Sequence, residues 1–249
     1  MKLLRNLIGC VIVSLMIAVG FRGIDIISSS YASNFSLAKQ NAFLRSVKIE
    51  TMNSSWSGLI YQKSQESGFL VLTIIHEESM NEMRSSGFPY MMVTMESGEK
   101  HFAKVIAWDR CNEVAMIQLV ENDKRYIPRV KINTKELNYS TQLFSWGHPL
   151  GGDLRYSEGI MSSKNTMIKD CGASTDGFSG GISPGQTGSG VYDNDGRLTG
   201  LVIATSAYRL YSQNQSGETI SVGSMPIDGL GLYLPSDTIV SFLKLNHLY

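Results

Sequence analysis

The sequence predicts an all-β protein built as two halves, and three observations carry that reading. Short β-type runs recur at a density that leaves little room for helices. Glycine is abundant, at 24 residues, and turn signals such as Asn194-Asp195-Gly196 separate the runs. A hydrophobic fraction of 43% over 249 residues is enough for the core of one large all-β unit or of two small barrels.

The first element along the chain is an amino-terminal apolar run. Lys2 and Arg5 precede an uncharged apolar stretch over residues 7–21, and Arg22 closes it. This is the grammar of a signal anchor or signal peptide, assigned to residues 1–24. The run is short against the roughly 20 residues of a full span. Ser30-Tyr31-Ala32 offers a cleavage site, but lies far beyond the apolar run. An uncleaved anchor is the preferred reading, with a cleaved signal or a buried core helix as alternatives. Residues 25–44 read as a polar stalk.

The β-type runs follow. In the first half, over 45–138, they fall at 47–51, 58–62, 69–75, 90–95, 102–108 and 114–120. In the second half, over 139–249, they fall at 142–146, 156–162, 190–192, 198–205, 219–222 and 230–234. One helix is expected at the end. Ser236 supplies a cap, Asp237 complements the helix dipole, and Ile239, Val240, Phe242 and Leu243 give an apolar face.

Composition removes several function classes. Lys plus Arg and Asp plus Glu both number 22, so no basic footprint for nucleic acid exists. The three cysteines, Cys10, Cys111 and Cys171, form no CxxC pair, and the four histidines show no metal-ligand spacing. No metal or other cofactor is expected. In an exported chain Cys111 and Cys171 either pair as a disulfide or stay as two buried thiols, and the thiols are the preferred reading.

Three segments carry chemistry. Val71-Leu72-Thr73-Ile74-Ile75-His76 ends a β-run in a histidine, a residue suited to general-base work at neutral pH. Asp109-Arg110-Cys111-Asn112-Glu113-Val114-Ala115 brings carboxylates to the start of an apolar strand, where one could orient that histidine. Ser183-Pro184-Gly185-Gln186-Thr187-Gly188-Ser189-Gly190 places glycines around hydroxyl residues, allowing a tight turn whose backbone N–H groups can hold an oxyanion.

In this order the three segments resemble the HtrA-type trypsin-like peptidases of the chymotrypsin clan. Gly147-His148-Pro149-Leu150-Gly151, Glu158-Gly159-Ile160-Met161-Ser162 and Gly229-Leu230-Gly231-Leu232-Tyr233-Leu234-Pro235-Ser236 extend the similarity over about residues 45–249. The resemblance implies two six-stranded Greek-key β-barrels with a C-terminal helix, and no room for a PDZ domain is expected after that helix. It implies His76 as general base and Glu113 as its orienting carboxylate. It further implies Thr187 as nucleophile and an oxyanion hole from the N–H groups of Gly185 and Thr187. Gly181 would lie at the base of the specificity pocket, favouring a small or apolar side chain, and Ala204, Thr205 and Ser206 would pair with the substrate backbone.

The sequence departs from the family pattern at three places. Glu113 stands for Asp, Thr187 for the nucleophilic Ser, and Ser189 for a glycine. Glu is longer than Asp by one bond of about 1.5 Å. Thr adds a methyl that stiffens χ1 and crowds the approach of His76. Two alternative nucleophiles remain: Ser179, within Gly177-Phe178-Ser179-Gly180-Gly181, and Ser189. The expected function is serine-type endopeptidase action on exported or unfolded proteins. The alternative is an inactive relative that binds extended peptides in the same cleft. The barrels would stand on the periplasmic or extracellular side of a membrane entered through residues 7–21, or be secreted after cleavage. A homo-oligomer is compatible with the family.

Overall fold

The computed structural model describes residues 36–64, 68–87, 89–120, 127–166, 174–213 and 219–249, with backbone alone at 63–64, 165–166, 204–213 and 219–229. The amino-terminal segment 1–24, with residues 7–21 and Cys10, lies outside the described residues, as does Cys171. Among the described residues no helix is long and apolar enough to cross a membrane.

Among the described residues twelve strands close into two barrels. The first contains β1 (Ser46–Glu50), β2 (Ser55–Ser64), β3 (Gly68–Ile74), β4 (Tyr90–Thr94), β5 (Lys100–Trp108) and β6 (Val114–Leu119), in the spatial order β1-β2-β3-β6-β5-β4. The second contains β7 (Gln142–Gly147), β8 (Arg155–Thr166), β9 (Thr175–Phe178), β10 (Gly190–Asp193), β11 (Leu198–Gln213) and β12 (Thr219–Pro235), in the order β10-β11-β12-β9-β8-β7. The pairings are antiparallel throughout both barrels. This is the chymotrypsin-like arrangement, and closure removes the free sheet edges that open sheets must protect.

Each barrel has its own core. Val47, Ile49, Ile60, Phe69, Val71 and Ile117 fill the first. Leu143, Met161, Phe178, Val191, Val202 and Tyr233 fill the second. β3 is buried at every position, which explains a run that is apolar apart from Thr73 and makes its end a firm mount for the following residue.

Several elements differ from the sequence reading. Leu37–Arg45, all but its last residue within the stretch read as stalk, forms helix α1; Ala42 is buried and Phe43 packs edge-on against Trp146 at 5.0 Å. Glu77–Ser85 forms helix α2, hidden in a polar-looking stretch because only Met80 and Met83 face inward. Its first turn carries Glu77 and Glu78 and its last turn Arg84, both matched to the helix dipole. The runs at 219–222 and 230–234 are one strand, β12, and the short β9 has too few residues to declare itself. The C-terminal helix α3 (Ser236–Leu245) exists, but Ser236 is not its cap. Pro235 holds that position with no side-chain cap, and Ser236 Oγ donates to Asn133 O at 2.5 Å. Cys111 is disulfide-bonded, which corrects the free-thiol reading.

Candidate active site

Strand register brings the first two candidate residues together. In the β3–β6 pair Ile74 faces Val114, so the residue after β3 and the residue before β6 emerge side by side. Ile75 N–H donates to Glu113 O at 2.8 Å, and Trp108 Nε1–H donates to Ile75 O at 3.0 Å, fixing the backbone beside His76. Asp109 holds the loop that delivers Glu113. Its carboxylate accepts the N–H groups of Cys111 and Asn112, an Asx-type turn. Glu113 leaves that loop with φ of 58°, a left-handed value uncommon outside glycine and one met at functional sites.

The carboxylate of Glu113 is buried and doubly engaged. Oε2 lies 2.8 Å from His76 Nδ1, and Oε1 accepts the Glu77 N–H at 3.0 Å. A carboxylate facing Nδ1 suits the tautomer that donates its Nδ1–H to Oε2, with Nε2 on the opposite side of the ring. The extra methylene of Glu is therefore accommodated. The longer side chain reaches the first turn of α2, whose N–H groups have no helical partner and whose dipole favours negative charge. Glu113 is 3% exposed at its side chain, whereas His76 is 43% exposed, so the imidazole meets solvent while the carboxylate does not.

Thr187 sits on a loop whose conformation follows from its sequence. Ser183-Pro184-Gly185-Gln186 closes a turn, with Gln186 N–H donating to Ser183 O at 3.1 Å. Proline suits the second position, and only glycine suits φ of +90° at the third, where Gly185 stands. A Cβ on Gly185 would lie 2.5 Å from Leu150 N and 2.7 Å from His148 O, so the backbone approach also requires glycine. Pro184 O accepts Leu150 N–H at 2.7 Å. Among the described residues no peptide is cis. In a trans peptide the C=O and N–H point opposite ways, so Gly185 N–H faces away from the Leu150 turn. By the same rule Thr187 N–H faces away from Ser189, because Gln186 O accepts both Ser189 N–H at 3.0 Å and Ser189 Oγ–H at 2.5 Å. Neither Gly185 N–H nor Thr187 N–H donates to a described protein acceptor.

His76, Gly185 and Thr187 line one cavity of about 470 Å³, with Ile182, Ile203 and Ser79 among its other walls. No hydrogen bond joins His76 to Thr187; in unliganded sites such bonds are often long and tighten on substrate engagement. The other candidates are placed elsewhere. Ser189 is fully buried with its hydroxyl committed to Gln186 O. Ser179 is exposed, and its Oγ accepts Ile160 N–H at 3.0 Å outside the cavity. Gly181 is exposed and absent from the lining; its carbonyl accepts Ser157 Oγ–H at 2.9 Å. Its neighbour Ile182 takes the lining position and fills the space that a Cβ at Gly231 would need. Ala204, Thr205 and Ser206 belong to β11, with Ala204 opposite Leu232 and Thr205 opposite Gly231, while their side chains lie outside the described residues. Sequence reasoning missed Ser57, which bonds to this loop through its hydroxyl and its N–H, and the bracing Leu150 N–H. The Pro149-Leu150-Gly151 turn was the available signal for the latter.

His148 adds a titratable group to the brace. Its Nδ1 lies 2.9 Å from Gly152 O, while Nε2 is buried without a partner. Burial pushes its pKa below the ordinary 6.5, against the opposing bond to Gly152. Below pH 6.5 the unfolded chain takes up a proton here that the folded chain resists, so stability falls as pH falls through that window. His148→Asn is expected to lose less stability than the wild type between about pH 7.5 and about pH 5.5, measured as urea midpoints at the two values.

Residues 58–201 match the family described as a trypsin-like peptidase domain. The chain belongs to the trypsin-like peptidase family. Among curated relatives, this peptidase domain is 22% identical over 202 residues to the serine protease Do-like HtrA of Lactococcus lactis subsp. lactis, covering 78% of this chain and 45% of the relative. It is 27% identical over 227 residues to Protease Do-like 1, chloroplastic, of Arabidopsis thaliana, covering 87% of this chain and 46% of that protein. The chain thus spans about half the length of these two relatives. Among solved structures, the HtrA-type protease AlgW with tripeptide superposes with a TM-score of 0.61 at 19% identity, over 83% of this chain and 61% of that one. The inactive form of the Rv3671c protease gives 0.60 at 14% identity, over 84% and 92%. At these identities the solved structures establish the fold of the trypsin-like peptidase domain.

Proposed function

We propose that this domain is a serine-type endopeptidase-like hydrolase that uses a His76–Glu113–Thr187 triad on exported or unfolded proteins. The observation that carries the reading is the 2.8 Å contact of His76 Nδ1 with buried Glu113, at the rim of the cavity that also contains Thr187. Thr187 Oγ1 attacks the peptide carbonyl carbon while His76 Nε2 takes the hydroxyl proton. Glu113 steadies the imidazolium. His76 then protonates the leaving nitrogen, and water cleaves the Thr187 ester by the reverse route. The N–H groups of Gly185 and Thr187 bind the developing oxyanion. The substrate chain extends along residues 204–206 of β11, and its side chain enters between Ile182 and Ile203, favouring a small or apolar group. The tripeptide bound to AlgW, on the same fold, supports peptide as the ligand class. The apolar run at 7–21, preceded by Lys2 and Arg5, supports export and a membrane tether.

A second reading is favoured by one observation. Thr187 replaces serine and makes no hydrogen bond with His76, which suits a cleft that binds extended peptides without cutting them. Incubating the full chain with an unfolded protein separates the two. Turnover by the wild type that is lost in His76→Ala supports the hydrolase. Peptide binding without turnover supports the inactive binder.

A further inference from the structure

We propose that Ser57 is a positioning residue that holds the Thr187 loop in its oxyanion-accepting form, a reading that rests on the hydrolase function above. Ser57 lies in β2 of the first barrel, fully buried, and spends every polar function it has. Its N–H donates to Thr187 O at 2.9 Å, and its carbonyl accepts Thr73 Oγ1–H at 2.6 Å. Its hydroxyl donates to Gly185 O at 2.9 Å and accepts His148 N–H at 2.8 Å. A serine hydroxyl has one hydrogen and two lone pairs, so this donor-plus-acceptor use is near its full capacity.

The two hydroxyl bonds act on the same residue from both sides. Gly185 O is tied directly, which fixes the plane after Gly185. The bond from His148 N–H holds the Pro149–Gly151 turn against β2, and that turn supplies the Leu150 N–H to Pro184 O at 2.7 Å. The plane before Gly185 is thereby fixed through a second route. Gly185, at φ +90°, has the rotational freedom of glycine, and it is pinned across both of its peptides. Ser57 is also the residue by which the barrel bearing His76 grips the loop bearing Thr187, so it sets the register of base and nucleophile. Removing one oxygen frees Gly185 O and leaves the His148 N–H unmatched, which lets the Pro184–Gly185 peptide turn its N–H out of reach.

The test uses the full chain with Ser57→Ala, and with Ser57→Cys as a near-isosteric variant of weak hydrogen-bonding power. The expected result is a fall of about 10- to 100-fold in kcat and equally in kcat/KM, with KM unchanged, as for an interaction realised only in the transition state. Crystal structures of both variants are expected to show the Pro184–Gly185 peptide rotated. A kcat within about twofold of wild type, or a loop left in place in the variants, overturns the proposal. If the wild type shows no turnover, the hydrolase reading alone has failed. The positioning role is then decided by the crystal structures, where a rotated peptide supports it and an unmoved one refutes it.

Discussion

Glu113→Gln is expected to lower kcat by about 10⁴-fold while leaving KM and the thermal midpoint near wild type, the size of effect seen when the orienting carboxylate of a Ser-His-Asp enzyme becomes an amide. Glutamine preserves the shape and can still accept the Glu77 N–H. Toward His76, however, it presents an N–H₂ group. The imidazole must then accept at Nδ1 and carry its proton on Nε2, which makes it unable to take the proton of Thr187. Because Glu113 is buried and has no solvent to substitute for it, no water restores the lost polarity. A quenched fluorescent peptide read under single-turnover conditions measures the loss directly. A loss below about tenfold would mean that the 2.8 Å contact is structural and that His76 takes its orientation from elsewhere.

Thr187→Ser is expected to raise kcat by about 10- to 100-fold, and Thr187→Ala to abolish turnover. Thr187 lines the same cavity as His76, yet no hydrogen bond joins them. A β-branched side chain has few χ1 choices, and its methyl competes for the space that the imidazole needs. A displacement of about 1 Å in such a pair costs on the order of a hundredfold, which bounds the gain from removing the methyl. Equal rates for the wild type and the Thr187→Ser variant would show that crowding is not what limits the site.

The fold was legible in sequence where patterns were long and repeated. β3 announced itself because all seven of its residues are buried, and β12 betrayed only its two ends because its middle is more polar. Helix α2 was hidden because two inward methionines among seven polar residues give too thin a stripe to separate from loop. The geometry linking His76 and Glu113 depends on β3–β6 register, which motif order suggested and pairing makes explicit. What sequence could not reach is the set of contacts made by main-chain atoms. Ser57 Oγ to Gly185 O and Leu150 N–H to Pro184 O join residues 128 and 34 positions apart through backbone groups that every residue type possesses. Ser189 shows the converse. Its place next to the loop glycines made it a candidate nucleophile, and only its burial and its bond to Gln186 O reveal a hydroxyl already committed.

The claim that Thr187 is the activated hydroxyl is tested most directly by treating the full chain with a fluorophosphonate and locating the adduct by tandem mass spectrometry. A single adduct on Thr187, absent from the His76→Ala variant, is the predicted result. An adduct on Ser179 or Ser189, or labelling of Thr187 that persists without His76, would contradict it.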